Sequence, residues 1–520
     1  MGVGAERRPK KPHPTAYAEA GPTRHRCRLT IDYMLTLSVH VRDMPSILQR
    51  RCRPPISLTV LAISIVLACV LQDWHPLRLK WAFRTRYHPN EIPVHAANIP
   101  ADTTAIVLNW SRFSNVRRIA KLLCAPELAG VFQTVLIWNN HPKPVFYEDF
   151  DDDIGCLPSR LHIVNSPENL YFQARFMACM SANTTFCYTQ DDDYLVLPET
   201  LQSLHARISE SNPPQAIHLL PPHERLSSEL RYICNEDRGM HASFAWLGHG
   251  AILHRSLVEQ FLELMHLVNA TEEQLKMADN YFSILSNWPP ELWFDQGIEL
   301  GGGQAFTVGS EGELRNRKHI TYAGAFLDSL LDTERDVKPK RRCDVQPPEF
   351  IGRAPCIGRV CLLETSVQTL PSLAHTVESG IDMLANEERS LALLHGEVVD
   401  NYLTHPPSNA VDAGQASSFR SLLVGKKDDY MMLDILSPKV AAGMTWLVDE
   451  ATALLLQRCT YESSIDGKQW STTRADLACI GDGSLFRCAV PTPVTPARYF
   501  RVRLQEDVMD RWTVYDVRLL

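Results

Sequence analysis

From Thr103 to about Leu330, short apolar runs alternate with stretches of helical periodicity, which confines that part of the chain to an α/β arrangement. Thr104-Ala105-Ile106-Val107-Leu108-Asn109 reads as a buried strand, and Val116 to Leu123, with Ile119, Leu122 and Leu123 on one face, as the helix after it. Phe132 to Trp138 is a second strand, ending in Asn139-Asn140-His141-Pro142, whose residue types favour a turn. Leu161 to Val164 is a third; a helix is expected over Tyr171 to Met180, and Thr185 to Thr189 is a fourth strand running into Asp191-Asp192-Asp193. Further helices are expected from Pro198, whose ring suits a first turn, and from Ser256-Leu257-Val258-Glu259, read as a capping box. Ligands of open α/β sheets gather outside the carboxyl ends of strands, so the acidic run stands where a site is expected.

A second constraint lies upstream. Ile56 to Leu71 is an uncharged apolar run, preceded by Pro54 and Pro55 and followed by Trp74. It is a little shorter than the roughly 20 residues that cross an average bilayer and close to adequate for a thinner one; the alternative is a buried core helix. Residues 1–53 carry eleven Lys or Arg against four acidic residues, a net charge of +7, which favours a span with the N-terminus cytoplasmic. A cleaved signal peptide fits poorly, because the apolar run starts far from Met1. The expected order is therefore a basic cytoplasmic tail (1–53), a transmembrane anchor (54–74) and a stem (75–102). A single-pass type II protein of the Golgi or ER membrane results, with its folded part in the lumen. The net charge of -8 for the whole chain gives no reason to propose a nucleic-acid partner.

Eleven of the fourteen cysteines lie beyond the apolar run, where an oxidising lumen would permit disulfides. Their spacings lack the paired CxxC pattern of zinc sites, and an odd number implies a free thiol or an intermolecular bond. Sequons occur at Asn109, Asn183 and Asn269, with Asn269 the expected acceptor and Asn109 at a strand end. Between about Asp336 and Glu349 the chain turns basic and proline-bearing, which reads as a linker. The expected domains are an α/β unit over 103–335, a linker and helical connection over 336–397, and an all-β sandwich over 398–520, where strands are short and turns rich in Gly, Asp and Ser. No internal repeat is visible, and oligomeric state is not readable.

Two carboxylates bracketing one residue on an extended chain point to the same side. Asp191 and Asp193 so placed suit a hard cation, Mn²⁺ or Mg²⁺, which can bridge the phosphates of a nucleotide sugar and neutralise charge on a leaving diphosphate. The bland reading is a solvated acidic turn, and that reading is given to the second acidic run, Asp149 to Asp153, which follows no buried strand. His249, His254 and His319 read as core or surface histidines, since no two have a helical ligand spacing with a carboxylate. Gly301-Gly302-Gly303 lacks the context of a phosphate loop and reads as a lid or turn.

Several ordered blocks over Thr103 to Leu330 resemble the exostosin-like, family-64 retaining glycosyltransferases of the GT-A fold. These are Ile106 to Arg112, Val135 to Asn140 ending in Trp-Asn-Asn, Gln173-Ala174-Arg175-Phe176, Thr189 to Asp193, Trp246 to Ala251, and Ala278 to Phe282. The resemblance implies Asp193 as direct metal ligand, with Asp191 reaching the sugar or a metal-bound water and Asp192 supporting. It implies that Arg112 and Arg175 hold the nucleotide, that Asn140 lines the base pocket, and that Asp279 acts near the anomeric carbon. Without the family, Asp279 reads equally well as a helix N-cap. Gln190, Tyr194 and Ala278 depart from the family's pattern, which leaves donor and acceptor identity open.

The C-terminal stretch Tyr461 to Trp470 resembles the Ser-x-Asp-Gly-x-x-Trp turn of discoidin-like (F5/8 type C) sandwiches, as do Ser408 to Asp412, Arg498 to Leu504 and Trp512 to Leu519. Trp470 is expected in the core. Together the resemblances imply a membrane-anchored transferase moving a hexose or N-acetylhexosamine from a UDP-sugar to a glycan or glycoprotein acceptor. The alternative is a non-catalytic, lectin-like membrane protein in which a decayed transferase scaffold supports a glycan-binding sandwich.

Overall fold

The computed structural model describes residues 101–150, 154–210, 214–302, 309–333, 351–473, 476–492 and 495–520. The basic tail, the apolar run, most of the stem, the basic linker, Asp151 to Asp153 and Gly303 lie outside the described residues. Among the described residues no helix is long and apolar enough to cross a membrane.

The first part of the chain forms β1 (Thr103–Asn109), β2 (Phe132–Asn139), β3 (Leu161–Asn165), β4 (Phe186–Gln190), β5 (Tyr194–Leu195), β6 (Ala216–Leu220), β7 (Ile233–Asn235), β8 (Met240–Ala242), β9 (Ala251–His254), β10 (Glu291–Phe294) and β11 (Ile298–Glu299). Seven of these make a mixed sheet in the order β10-β6-β9-β4-β1-β2-β3. Its strands pair in parallel except β9, which runs antiparallel to β4 and β6. Side chains alternate across a strand, so β1 feeds two cores: Ala105 and Val107 join one, Ile106 and Leu108 the other. Helices Phe113–Leu123 and Pro198–Ile208 close the first core, and helices Gln173–Ser181, Arg255–Leu267, Asp279–Leu285 and Ser310–Thr333 the second.

Two local expectations are corrected. The helix expected to be capped by Ser256 starts at Arg255, with His254 as an extended N-cap and no side-chain cap. The Arg255 amide is held by the Thr185 carbonyl at 3.0 Å as β9 hands over to the helix, so the first turn is set by the sheet and not by a hydroxyl. A capping box does form at Thr271, whose side chain accepts from Gln274 N while Gln274 returns the bond. Asp279, read alternatively as an N-cap, is the first residue of its helix; Ala278 occupies the cap.

The second part is an all-β sandwich built from β12 (Gly352–Pro355), β13 (Leu362–Thr365), β14 (Phe419–Val424), β15 (Tyr430–Lys439), β16 (Gly443–Val448), β17 (Cys459–Ser464), β18 (Ser471–Thr473), β19 (Ala478–Asp482), β20 (Leu485–Pro491), β21 (Ala497–Leu504) and β22 (Arg511–Leu519). A six-stranded sheet, β12-β13-β15-β21-β17-β18, faces a five-stranded one, β14-β22-β16-β20-β19. Met431, Leu433, Phe500 and Val502 from the first meet Met444, Trp446, Trp512 and Val514 from the second. The six-stranded sheet takes in residues upstream of the expected boundary at Val398, because the β12-β13 hairpin, closed by the Cys356–Cys361 disulfide, pairs onto β15. Trp470 is not in the core: it is half-buried, with the Arg501 guanidinium 3.7 Å over its ring.

Cys124–Cys156, Cys179–Cys187 and Cys479–Cys488 are also bonded, Cys234 is disulfide-bonded too, and Cys459 is free among the described residues, one of the two outcomes the odd count allows. Asn269 is exposed in a left-handed turn at φ 50°, whereas Asn109 is buried in β1. The two parts share buried residues at their junction. Leu226, Leu230 and Phe294 pack into the sandwich core, and the buried Arg225 lies 4.5 Å over the Phe294 ring while pairing with Glu229 at 3.0 Å.

Candidate functional site

Because β1, β2, β4, β6 and β10 run the same way, their carboxyl ends share one edge, and β9, running the other way, begins there. Asp191 to Asp193 follow β4 on that edge, near the sheet's centre. Arg112 follows β1 next door: its Nε donates to Asp192 Oδ1 at 2.8 Å and its Nη1 lies 3.0 Å from Asp193 Oδ2. Gly302, at φ +103°, packs against the Arg112 side chain, and Asn115 donates to the Gly301 carbonyl at 2.8 Å, so Gly301 and Gly302 lie beside the arginine.

Arg175 comes from helix Gln173–Ser181 and is buried. Its Nη2 lies 2.7 Å from Asp191 Oδ1 and 3.2 Å from Asp279 Oδ2, so one guanidinium joins the two carboxylates expected to be catalytic. Its Nε and Nη1, and Asp279 Oδ1, are buried without a hydrogen-bond partner. Burial outweighs the Arg175 charge at Asp279 and, with Asp191 nearby, pushes its carboxyl up to about 7. Arg175 therefore holds carboxylates and not an open nucleotide face. Asn140 is likewise occupied: its Nδ2 donates to Tyr171 O and its Oδ1 accepts from Leu170 N, each at 3.2 Å, which ties down the loop before helix Gln173–Ser181.

Asp192 is buried, while the Asp191 and Asp193 side chains keep 29% and 32% of their exposure. Burial first and Asp191 second raise the Asp193 carboxyl, with Arg112 opposing. A cation between these carboxylates would relieve that repulsion. Gly248 lets the Asp191 carboxylate lie close against its backbone, since a Cβ there would be 2.7 Å from Asp191 Oδ2. Among the described residues no three His, Cys, Asp or Glu side chains cluster at metal-ligand spacing. A cation at Asp191 and Asp193 would therefore have to take one or two carboxylates and complete its shell from phosphate and water, as Mg²⁺ does.

His249 was not singled out by its spacing, yet it sits on the same edge. Its Nε2 lies 3.3 Å from Glu224 Oε1 and its Nδ1 3.5 Å from Asp295 Oδ2, and its ring meets Tyr194 edge-on at 4.3 Å. Burial opposes its charge, but the Asp295 and Glu224 carboxylates push the imidazole up to about 10. The position of Asp295 directly after the β10 run, and of Glu224 in the first turn of the helix after β6, was the available signal. His254 is half-exposed beside Phe186, and His319 is buried, 2.8 Å from the Tyr281 hydroxyl.

No protein-family model and no curated protein matches the chain. Solved structures similar to part of it include the module CBM32-1 of a family 31 glycoside hydrolase from Clostridium perfringens. It is 18% identical, with 22% of this chain and 84% of that one covered at a TM-score of 0.18. A second module from Clostridium perfringens, in complex with GalNAc-β-1,3-galactose, is 13% identical over 22% and 84% at 0.19. A fragment of a putative chitobiase from Bacteroides thetaiotaomicron is 15% identical over 24% and 80% at 0.19. Scores of this size assign nothing, and the sandwich rests on the strand order and core described above.

Proposed function

We propose that the chain is a metal-dependent glycosyltransferase of exostosin-like, GT-A type, transferring a hexose or N-acetylhexosamine from a UDP-sugar to a glycan or glycoprotein, with retention. One observation carries the reading: three consecutive aspartates at the carboxyl edge of the sheet are clamped by Arg112 and Arg175, and Arg175 draws the distant Asp279 to Asp191. Clustered carboxylates repel one another and are costly in a partly buried cleft unless a cation offsets them. Mn²⁺ or Mg²⁺ held by Asp193 and Asp191 would supply charge neutralisation for the leaving diphosphate.

The chain's own residues have separable tasks. Arg112 fixes Asp192 and Asp193 from the β1 side, and the third Arg112 nitrogen contact, Nη2 to Asp192 Oδ1 at 2.7 Å, makes that hold rigid. Arg175 orients Asp191 and Asp279 toward one point. Asp279 then acts near the anomeric carbon, orienting the acceptor or stabilising the oxocarbenium-like transition state. The sandwich, joined to the transferase unit through a shared core, is a fixed accessory.

The test is donor hydrolysis by the purified full-length chain across a panel of UDP-sugars, with Mn²⁺ or with EDTA, beside Asp193→Asn. Metal-dependent turnover of one donor, lost in the variant, supports the reading and names the sugar. No turnover together with no Mn²⁺-dependent UDP binding by calorimetry would replace it with the lectin-like alternative.

A further inference from the structure

Helix Arg255–Leu267 ends in a turn whose residues serve as caps. The Ala270 amide returns to the Met265 carbonyl and the Asn269 amide to the His266 carbonyl, each at 3.0 Å, which is the bonding of a Schellman stop. Asn269 holds the left-handed position of that stop, at φ 50°, where glycine is the usual residue and asparagine its substitute. Thr271 opens the next helix, Glu272–Lys276: its hydroxyl accepts from Gln274 N at 3.3 Å, and Gln274 Oε1 accepts from Thr271 N at 2.8 Å. Asn269 and Thr271 are also the first and third residues of a sequon.

The caps do not account for the space beside them. Leu262, Met265, His266, Asn269, Ala270 and Leu275 line an open cavity of about 370 Å³, in the size range of small-ligand sites. Met265 is buried, and Leu262 and Leu275 are partly buried against the same core, so the hollow has an apolar floor. Asn269 stands exposed at its wall. A group joined to that side chain is therefore held at the mouth of the cavity by a covalent tether. The disulfides described above fit a chain that folds in an oxidising compartment, where sequons are also modified.

We propose that an N-acetylglucosamine linked to Asn269 is seated in this cavity and is a structural part of the folded chain. In the modification the Asn269 Nδ2 bonds to C1 of the sugar and loses one proton, while the bond from C1 to a lipid-linked diphosphate breaks and the diphosphate leaves. The C–H face of the ring and the acetamido methyl pack on Leu262, Met265 and Leu275, and the His266 imidazole meets the acetamido group. The sequon's hydroxyl, on Thr271, is taken up by Gln274 in the folded chain, so the transfer precedes closure of the turn. The effect extends toward the acidic site. Leu275 O accepts from Ala278 N at 3.1 Å and Lys276 O from Phe172 N at 3.2 Å, so a sugar against Leu275 braces the segment that leads into Asp279.

The experiment is site-resolved deglycosylation of the full-length chain, expressed through the secretory pathway and read by peptide mass spectrometry. A peptide-N-glycosidase cuts between Asn269 and the first sugar, and packing of that sugar should slow it on the folded chain at least about tenfold relative to the heat-denatured chain. An endoglycosidase that cuts between the first and second sugars acts outside the cavity and should release the rest of the glycan from the folded chain. Leu275→Trp and His266→Trp each fill the cavity from one side and leave the sequon intact. In whichever of them keeps the wild-type melting temperature, the first enzyme should cut the folded chain at least about tenfold faster than it cuts folded wild type. Absence of sugar from Asn269, equal rates on folded and denatured wild type, or a folded variant as resistant as wild type would each overturn the proposal.

Discussion

Replacing Glu291 by Gln takes one charge out of the junction between the α/β unit and the sandwich while keeping the shape of the side chain. Arg207 grips this carboxylate twice, at 3.1 and 2.9 Å, Arg353 Nε lies 3.8 Å away, and Trp293 Nε1 donates at 2.8 Å. Burial opposes the charge, but Arg353 and Arg207 outweigh it and pull the carboxyl from 4.5 down to about 2. At about 1.4 kcal/mol per unit the pairing contributes about 3.5 kcal/mol at neutral pH. Uncompensated arginine charge left behind in the variant sets an upper end of about 5 kcal/mol. With an unfolding entropy of about 2.1 cal/mol/K per residue over roughly 400 residues, about 3.5 kcal/mol lowers the melting temperature by about 4 °C. The sign with pH follows from a folded value below the unfolded one: the contribution is complete above about pH 4.5 and is lost as the pH falls from there through about 2. Thermal unfolding of the full-length chain and of Glu291→Gln from pH 7 to pH 2.5 should therefore show two curves that converge in acid. Equal melting temperatures at pH 7, or a gap at pH 2.5 as wide as at pH 7, would refute the reasoning.

Gly248→Ala should displace the Asp191 carboxylate, since the new Cβ lies 2.7 Å from Oδ2; Mn²⁺-dependent UDP affinity should fall at least about tenfold, roughly one hydrogen bond to a charged group, with the melting temperature little changed. Arg175→Met fills a similar volume but leaves Asp191 and Asp279 without their shared counter-charge, and should destabilise the chain by about 3–5 kcal/mol in urea unfolding at neutral pH. An unchanged urea midpoint would mean that solvent already screens that pair. Expressed through the secretory pathway, Asn269→Gln should give a faster band on a denaturing gel, and Asn109→Gln should not, because Asn109 is buried in β1.

Strands β1, β2 and β4 were legible because they are buried on both faces and so read as nearly unbroken apolar runs. The acidic run could be placed at a strand end for the same reason, and Arg112 and Asn140 stand at the ends of neighbouring strands as expected. The first hairpin of the sandwich was not legible. β12 is Gly-Arg-Ala-Pro, a sequence with almost no strand signal, and it holds its place through charge: Arg353 is buried against Glu364 at 2.9 Å. Trp470 was misplaced on similar grounds, since an aromatic in a turn motif reads as core, whereas here a cation covers its face.

The β6 and β10 half of the edge illustrates a deeper limit. Periodicity identifies which segments are strands, and ligand-binding residues on consecutive parallel strands can then be read from the segment ends. It does not say that β9 inserts between β4 and β6 and runs the other way. That single topological fact brings His249 to Glu224 and Asp295, and it brings Gly248 against Asp191. The histidine's partners lie far away in sequence and on either side of it, so no spacing rule for helical or loop ligands could join them. The polarity follows from the same fact. Arg112 stands on the β1 side of the aspartates, and Glu224 and Asp295 stand on the β6 and β10 side, paired with His249.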